Sequence, residues 1–286
     1  MTLLFPALVH AQQPPAPPPP SAARRLLLPR RAAAGERATL AVLDVNGRLT
    51  PGVTVAFSTG ARVTTDSTGR AVFTVPPATG RFSASISRRP GRVPFAVLSP
   101  SGNAAASGVA QTAPPPLTVR AVPRFASLTD RFEITGTGFC GEADANQVLI
   151  AGRPALVLAA SSLALTILPP EGLAAGPAEV SLGCGDRAAA PFTLSIVSLE
   201  LVASSTPLAP GERRELVLLV HGTSERIPLE ARNLAPETAG LTGGNPVRLP
   251  STGGPENSAR LELRGRRRGS FLISIRLVPS YSPPHR

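Results

Sequence analysis

A chain of 286 residues is long for one small domain and suits about two domains by length alone, or three sandwiches of roughly 80 residues each. With 33 Pro and 26 Gly, about a fifth of the chain, it is too heavily punctuated for a helical protein and suits short strands joined by turns. All 29 basic residues are Arg against 18 acids, so the charge of +11 persists at any accessible pH and draws anionic partners by salt-screened attraction; no Trp and one Tyr leave little to stack on bases, which argues against specific nucleic-acid binding.

Met1 to Ala11 is apolar and closes on Val9-His10-Ala11, a small-x-small pattern suited to signal peptidase, although the usual basic leader is missing. The reading is a signal peptide over 1–11, weak or truncated at residue 1; a plain apolar tail is the alternative. Two cysteines in an exported chain tend to pair, and no later stretch approaches the ~20 apolar residues that span a bilayer. Residues 12–23, with Gln12-Gln-Pro-Pro-Ala-Pro-Pro-Pro-Pro20, form a semi-rigid polyproline linker.

Arg24-Arg25 and Arg30-Arg31 flank Leu26-Leu27-Leu28, which reads as the first strand or else a basic-apolar contact element. From there the apolar residues alternate: Ala38, Leu40, Val42; then Val53, Val55, Phe57; then Ala71, Phe73, Val75; then Phe82, Ala84, Ile86. Turns at Asp44-Val-Asn-Gly47 and Asp66-Ser-Thr-Gly69 separate them. With Pro51-Gly-Val53, Thr65-Asp66, Gly69-Arg-Ala71 and Gly80, roughly residues 35–98 resemble the bacterial immunoglobulin-like domains of the invasin and intimin type, and the domain is assigned to 24–98. A Ser/Gly/Ala/Pro-rich linker over 99–116 reads as a hinge.

Arg131-Phe-Glu-Ile-Thr-Gly-Thr-Gly-Phe-Cys-Gly141, Val148-Leu-Ile150, Leu163 to Pro170 and Gly176 to Gly185 follow in order. This succession of a strand ending in a Gly-x-x-Phe turn, a second strand, a Pro-Pro turn and a last strand pair resembles an IPT/TIG domain, an immunoglobulin-like fold, over 117–197. Alternation from Phe132 through Ile134, Gly136 and Gly138 to Cys140, and from Val180 through Leu182 to Cys184, points both sulfurs inward provided no bulge intervenes. In an immunoglobulin-like topology those would be strands of opposite sheets with their ends at one pole, which implies a Cys140–Cys184 disulfide in place of two free buried thiols.

A third β pattern covers 198–281, with Leu216, Leu218, Val220, then Ile227, Leu229, Ala231, then Leu261, Leu263, and Phe271, Ile273, Ile275; a short tail occupies 282–286. Arg264-Gly-Arg-Arg-Arg-Gly269 between the last two runs reads as a hairpin loop, and functionally as an anion-binding tip of Arg264, Arg266, Arg267 and Arg268, with Arg88-Arg-Pro-Gly-Arg92 as a companion. Gly136-x-Gly-x-x-Gly141 has dinucleotide-binding spacing, but no helix follows to receive a pyrophosphate. Leu249-Pro-Ser-Thr-Gly253 matches a sortase signal without the apolar stretch and basic end that signal needs. Asp44 and Asp66 are turn residues before they are calcium ligands.

Catalytic material is scarce, since His221 stands alone beside Gly222 and two paired cysteines hold no zinc. The expectation is therefore an all-β protein of tandem immunoglobulin-like β-sandwiches, exported, non-enzymatic and without cofactor or metal. By resemblance such arrays serve as cell-surface spacers or adhesive modules that bind surface glycans, envelope or host proteins through interdomain grooves and end loops. An accessory carbohydrate-binding module of a polysaccharide-active system is the alternative.

Overall fold

The computed structural model describes residues 24–87, 89–99, 115–202 and 207–284. The expected signal segment, the polyproline linker and most of the 99–116 linker lie outside the described residues. Among the described residues every regular element is a strand apart from one 3-10 turn at Ala143–Ala145, and the strands form tandem immunoglobulin-like sandwiches.

In the first sandwich Arg25–Leu27, Arg37–Leu43 and Arg70–Thr74 pair in one sheet. Arg31–Ala33, Val93–Leu98, Gly80–Ile86, Thr54–Phe57 and Arg62–Thr64 form the other. Alternation puts Leu40, Val42, Val55 and Val97 between the sheets, where Phe57, Phe73 and Phe95 cluster with ring centroids 4.8 to 6.2 Å apart. The Asp44 and Asp66 carboxylates accept backbone N–H bonds at 2.8 Å from Asn46 and Thr68, so local turn chemistry accounts for both acids.

The second sandwich stacks Thr118–Pro123, Phe132–Thr137, Ala164–Leu168 and Leu156–Ala160 on the sheet built from Asn146–Ile150, Gly176–Cys184 and Phe192–Val202. Ile134, Ile150, Leu165, Ile167, Leu194 and Ile196 fill the space between. Cys140 and Cys184 are joined, Cα to Cα 5.7 Å. The route differs from strict alternation. A register shift at Thr135/Gly136 interrupts the first strand, it ends at Thr137, and left-handed Gly138 (φ 79°) turns Phe139 into the core and leaves Cys140 only half-buried. Asn146 secures the segment, its side chain bonding the N–H and the carbonyl of Cys140 at 2.9 and 2.8 Å.

The third sandwich faces Arg213–His221, Ser258–Gly265 and Ala239–Leu241 against Val247–Pro250, Pro228–Asn233 and Ile273–Leu277. Here the hairpin expected at Arg264–Gly269 is corrected. Ser258–Gly265 pairs with Arg213–His221, whereas Ile273–Leu277 pairs with Pro228–Asn233 in the opposite sheet, so the arginines sit on an arch between sheets. Leu249 of the sortase-like motif packs against the core and Ser251 is buried, accepting the Ile227 N–H at 2.9 Å.

The three sandwiches share strands and packed seams. Phe192–Val202 pairs with Gly176–Cys184 in its first half and with Arg213–His221 in its second, so one strand belongs to two sandwiches. Tyr281–Ser282 returns to pair with Pro123 and Val122 on the edge of the second sandwich. Between the first two sandwiches Thr39 pairs with Ala160, and Leu27, Ala41, Leu43, Leu158 and Ala159 make a separate apolar cluster. Arg70 crosses the same seam to Asp144 (2.7 Å) and the Val157 carbonyl (3.2 Å).

Candidate functional site

Where the three sandwiches meet they enclose a cleft of about 780 Å³. The first sandwich contributes Leu26, Arg30, Arg81 and Phe95; the second contributes Phe125, Asp130, Arg131 and Glu133; the third contributes Glu230, Arg276 and Tyr281. Each is put there by strand geometry. Glu133 stands between core residues Phe132 and Ile134, so it points to the opposite face of its strand. That face is covered, and Glu133 retains only 9% exposure.

Charges in the cleft are layered. Glu133 Oε2 accepts the Arg30 backbone N–H at 3.4 Å and lies 4.0 Å from the Arg30 guanidinium. Glu230 accepts two bonds from Arg276, at 2.5 and 3.0 Å, and Asp130 pairs with Arg131 at 3.3 Å. The two glutamates are sheltered, with side chains 11% and 15% exposed, while their arginines stand 66% and 60% exposed. In these two pairs the guanidinium faces solvent over a sheltered carboxylate; in the third the order is reversed, Asp130 being 44% exposed and Arg131 22%. Arg81, exposed on the rim, has no side-chain partner among the described residues.

Burial raises the Glu133 carboxyl above its ordinary 4.5, with Arg30 and Arg31 opposing. Burial lowers the Arg131 guanidinium below its ordinary value; Asp130 opposes this, and the positive charges of Arg25 and Arg276 add to it. The Tyr281 phenol is raised by burial and by the Glu133 carboxylate, so this tyrosine, the single one in the chain, lies within electrostatic reach of the buried acid. Its surface is 40% exposed.

The arginine arch lies elsewhere. Arg264, Arg266, Arg267 and Arg268 are all exposed, and Arg264, Gly265 and Arg266 line a second hollow of about 430 Å³ with Gly211 and Gly240. Arg267 pairs with Glu237 at 3.6 Å, and the amides of Arg266 and Arg267 both donate to the Thr238 carbonyl. Arg92 of the proposed companion lines neither hollow, and Arg88 lies outside the described residues. His221 is not alone: its Nε2 is 3.0 Å from Glu200 Oε2, an exposed pair on adjacent strands. Among the described residues no group of three or more His, Cys, Asp or Glu could hold a metal, and no helix is long and apolar enough to cross a membrane.

Sequence reasoning missed the cleft because its members come from three separate domains. One signal was available: Glu133 is an acid inside an apolar strand, and Arg276 interrupts another.

No family model and no curated protein matches the chain. Among solved structures it is similar to SGBP-B of the Bacteroides ovatus mixed-linkage glucan utilization locus, in complex with a heptasaccharide: 12% identity, 87% of this chain, 72% of that one, TM-score 0.31. It is also similar to the extracellular region of plexin A4, at 11% identity, 88% of this chain, 23% of that one and a TM-score of 0.29. Immunoglobulin domains 1–4 of Sidekick-1 match at 11% identity, 90% of this chain, 76% of that one and a TM-score of 0.27. The likeness transfers no ligand and no role to this chain.

Proposed function

We propose that this is an exported, non-catalytic binding module that takes its ligand in the cleft between the three sandwiches. The carrying observation is the cleft itself: about 780 Å³, with apolar walls and a few convergent polar groups, closed by strands that fix the sandwiches against one another. A spacer needs only smooth polar faces; here Arg81 and Tyr281 are displayed at a concavity instead. The test is a binding screen of the full chain against surface glycans and envelope or host proteins at two salt concentrations. Saturable binding that survives high salt and is lost in Tyr281→Ala supports a cleft ligand. No saturable binding to any of them returns the protein to the spacer reading.

A further inference from the structure

We infer that the cleft ligand is an acidic sugar chain, one whose rings carry carboxylate or sulfate groups, held with its anions on the exposed guanidiniums and a ring against Tyr281. This rests on the binding-module reading above and narrows it to a ligand class. Three features of the cleft carry the inference.

The first is the layering of charge. Arg30 and Arg276 reach outward over Glu133 and Glu230, and a planar guanidinium with five N–H donors keeps donors to spare after one carboxylate contact. With Arg81 on the rim and without a side-chain partner among the described residues, three guanidiniums stand at the mouth of the cleft beside the one exposed carboxylate of Asp130.

The second is that the cleft is not purely cationic. Asp130, Glu133 and Glu230 also line it, and carboxylates accept hydrogen bonds only. A ligand offering nothing but anionic acceptors, such as a nucleic acid backbone or polyglutamate side chains, meets repulsion from those carboxylates. An acidic sugar brings both kinds of group, hydroxyl donors for the carboxylates and anions for the arginines, on one ring. The third feature is the half-exposed Tyr281, whose ring offers a flat apolar face with a polar tip beside the Arg30–Glu133 pair.

The experiment is titration calorimetry of the full chain with four probes of matched length: oligogalacturonate, a sulfated heparin-type oligosaccharide, a neutral cello-oligosaccharide and polyglutamate. The acidic sugars are expected to bind, the neutral one about tenfold or more weaker, and whichever of the two acidic sugars binds tighter identifies the anion. Arg81→Ser, on the surface and without a side-chain partner among the described residues, should weaken the acidic sugars about tenfold and leave the neutral one unchanged, while Tyr281→Ala should weaken every sugar and not polyglutamate. Arg276→Ser strips a buried carboxylate of its partner and can unfold the site, so Arg276→Lys is compared with it; circular dichroism confirms folding of each variant. Equal binding of neutral and acidic sugars overturns the inference and leaves the binding module standing. Polyglutamate binding as tightly as oligogalacturonate, indifferent to Tyr281→Ala, overturns it in favour of bare charge attraction. Absence of saturable binding by all four overturns the inference, and it overturns the binding reading too if the wider screen is also empty.

Discussion

At the scale of single residues, Glu133 carries the clearest pH signature. Unfolded, its carboxyl titrates at the ordinary 4.5; folded, burial lifts the value. The folded chain then holds more protons than the unfolded one between those two values, so this group's contribution to stability is full below 4.5 and is lost as pH rises through the folded pKa. Each unit of upward shift corresponds to about 1.4 kcal/mol. Glu133→Gln cannot ionise, and its urea midpoint should gain on the parent as pH rises from about 4 to 7, whereas parallel profiles would show that the buried carboxyl contributes nothing. Gly141 tests the seam between the first two sandwiches. A Cβ there would collide with the Arg37 carbonyl, while its own carbonyl accepts the Thr39 hydroxyl at 2.8 Å. Gly141→Ala should therefore cost about 1–3 kcal/mol by overpacking, read as a lower denaturation midpoint with an unchanged far-ultraviolet spectrum.

At the scale of elements, alternation made much of the fold legible. Ala38, Leu40 and Val42 share the core face as their spacing implies, and the apolar residues of the other strands follow the same rule. The interleaved Thr39, Ala41 and Leu43 are buried as well, because the outer face of that strand lies on the second sandwich. The continuous run Ala38 to Leu43 contains that information, since a strand covered on both faces loses its polar alternation, but the run does not name the covering element. The arch at Arg264–Gly269 was misread for a related reason. Two adjacent strand patterns with a charged connection look alike whether the chain folds back in one sheet or crosses to the other. The Cys140–Cys184 bridge reached its partner despite the interrupted alternation, because Gly138 and Asn146 steer the chain back to the pole where Cys184 ends its strand. Closing a loop of 44 residues, the bridge should contribute about 4 kcal/mol on the chain-entropy model. Cys140→Ser with Cys184→Ser should lower the guanidinium midpoint accordingly, and an unshifted midpoint would show that packing alone suffices. Changing Arg264, Arg266, Arg267 and Arg268 to Ser should reduce salt-sensitive retention on a sulfated matrix, measured by elution salt, with cleft affinity unaltered because the arch lies outside the cleft.

At the scale of the whole molecule, continuity between sandwiches governs behaviour. The strand Phe192–Val202 carries ladder bonds to two neighbours in sequence, and Tyr281–Ser282 ties the third sandwich back to the second. Melting the third sandwich uncovers Val197 and Phe125, which it buries jointly with the second. Calorimetry should accordingly show the second and third sandwiches unfolding in one transition, with Leu229→Ala lowering that transition as a whole by about 2–5 kcal/mol. Two resolved transitions, only one of them displaced, would show that the sandwiches unfold independently. The cleft depends on the same continuity, since it has walls only while all three bodies keep their places. Its composition could not be read from sequence because no segment contains more than a third of it.

The dual membership of Phe192–Val202 also limits how such a protein can be reshuffled. A recombination break between the second and third sandwiches has no neutral place to fall, since any cut within those eleven residues leaves one fragment with a missing edge and the other with a surplus one. Gene fusions or chimaeras built from this chain should succeed when they carry both sandwiches together and yield insoluble product when they carry either one, which makes the pair, and not the single sandwich, the unit of inheritance.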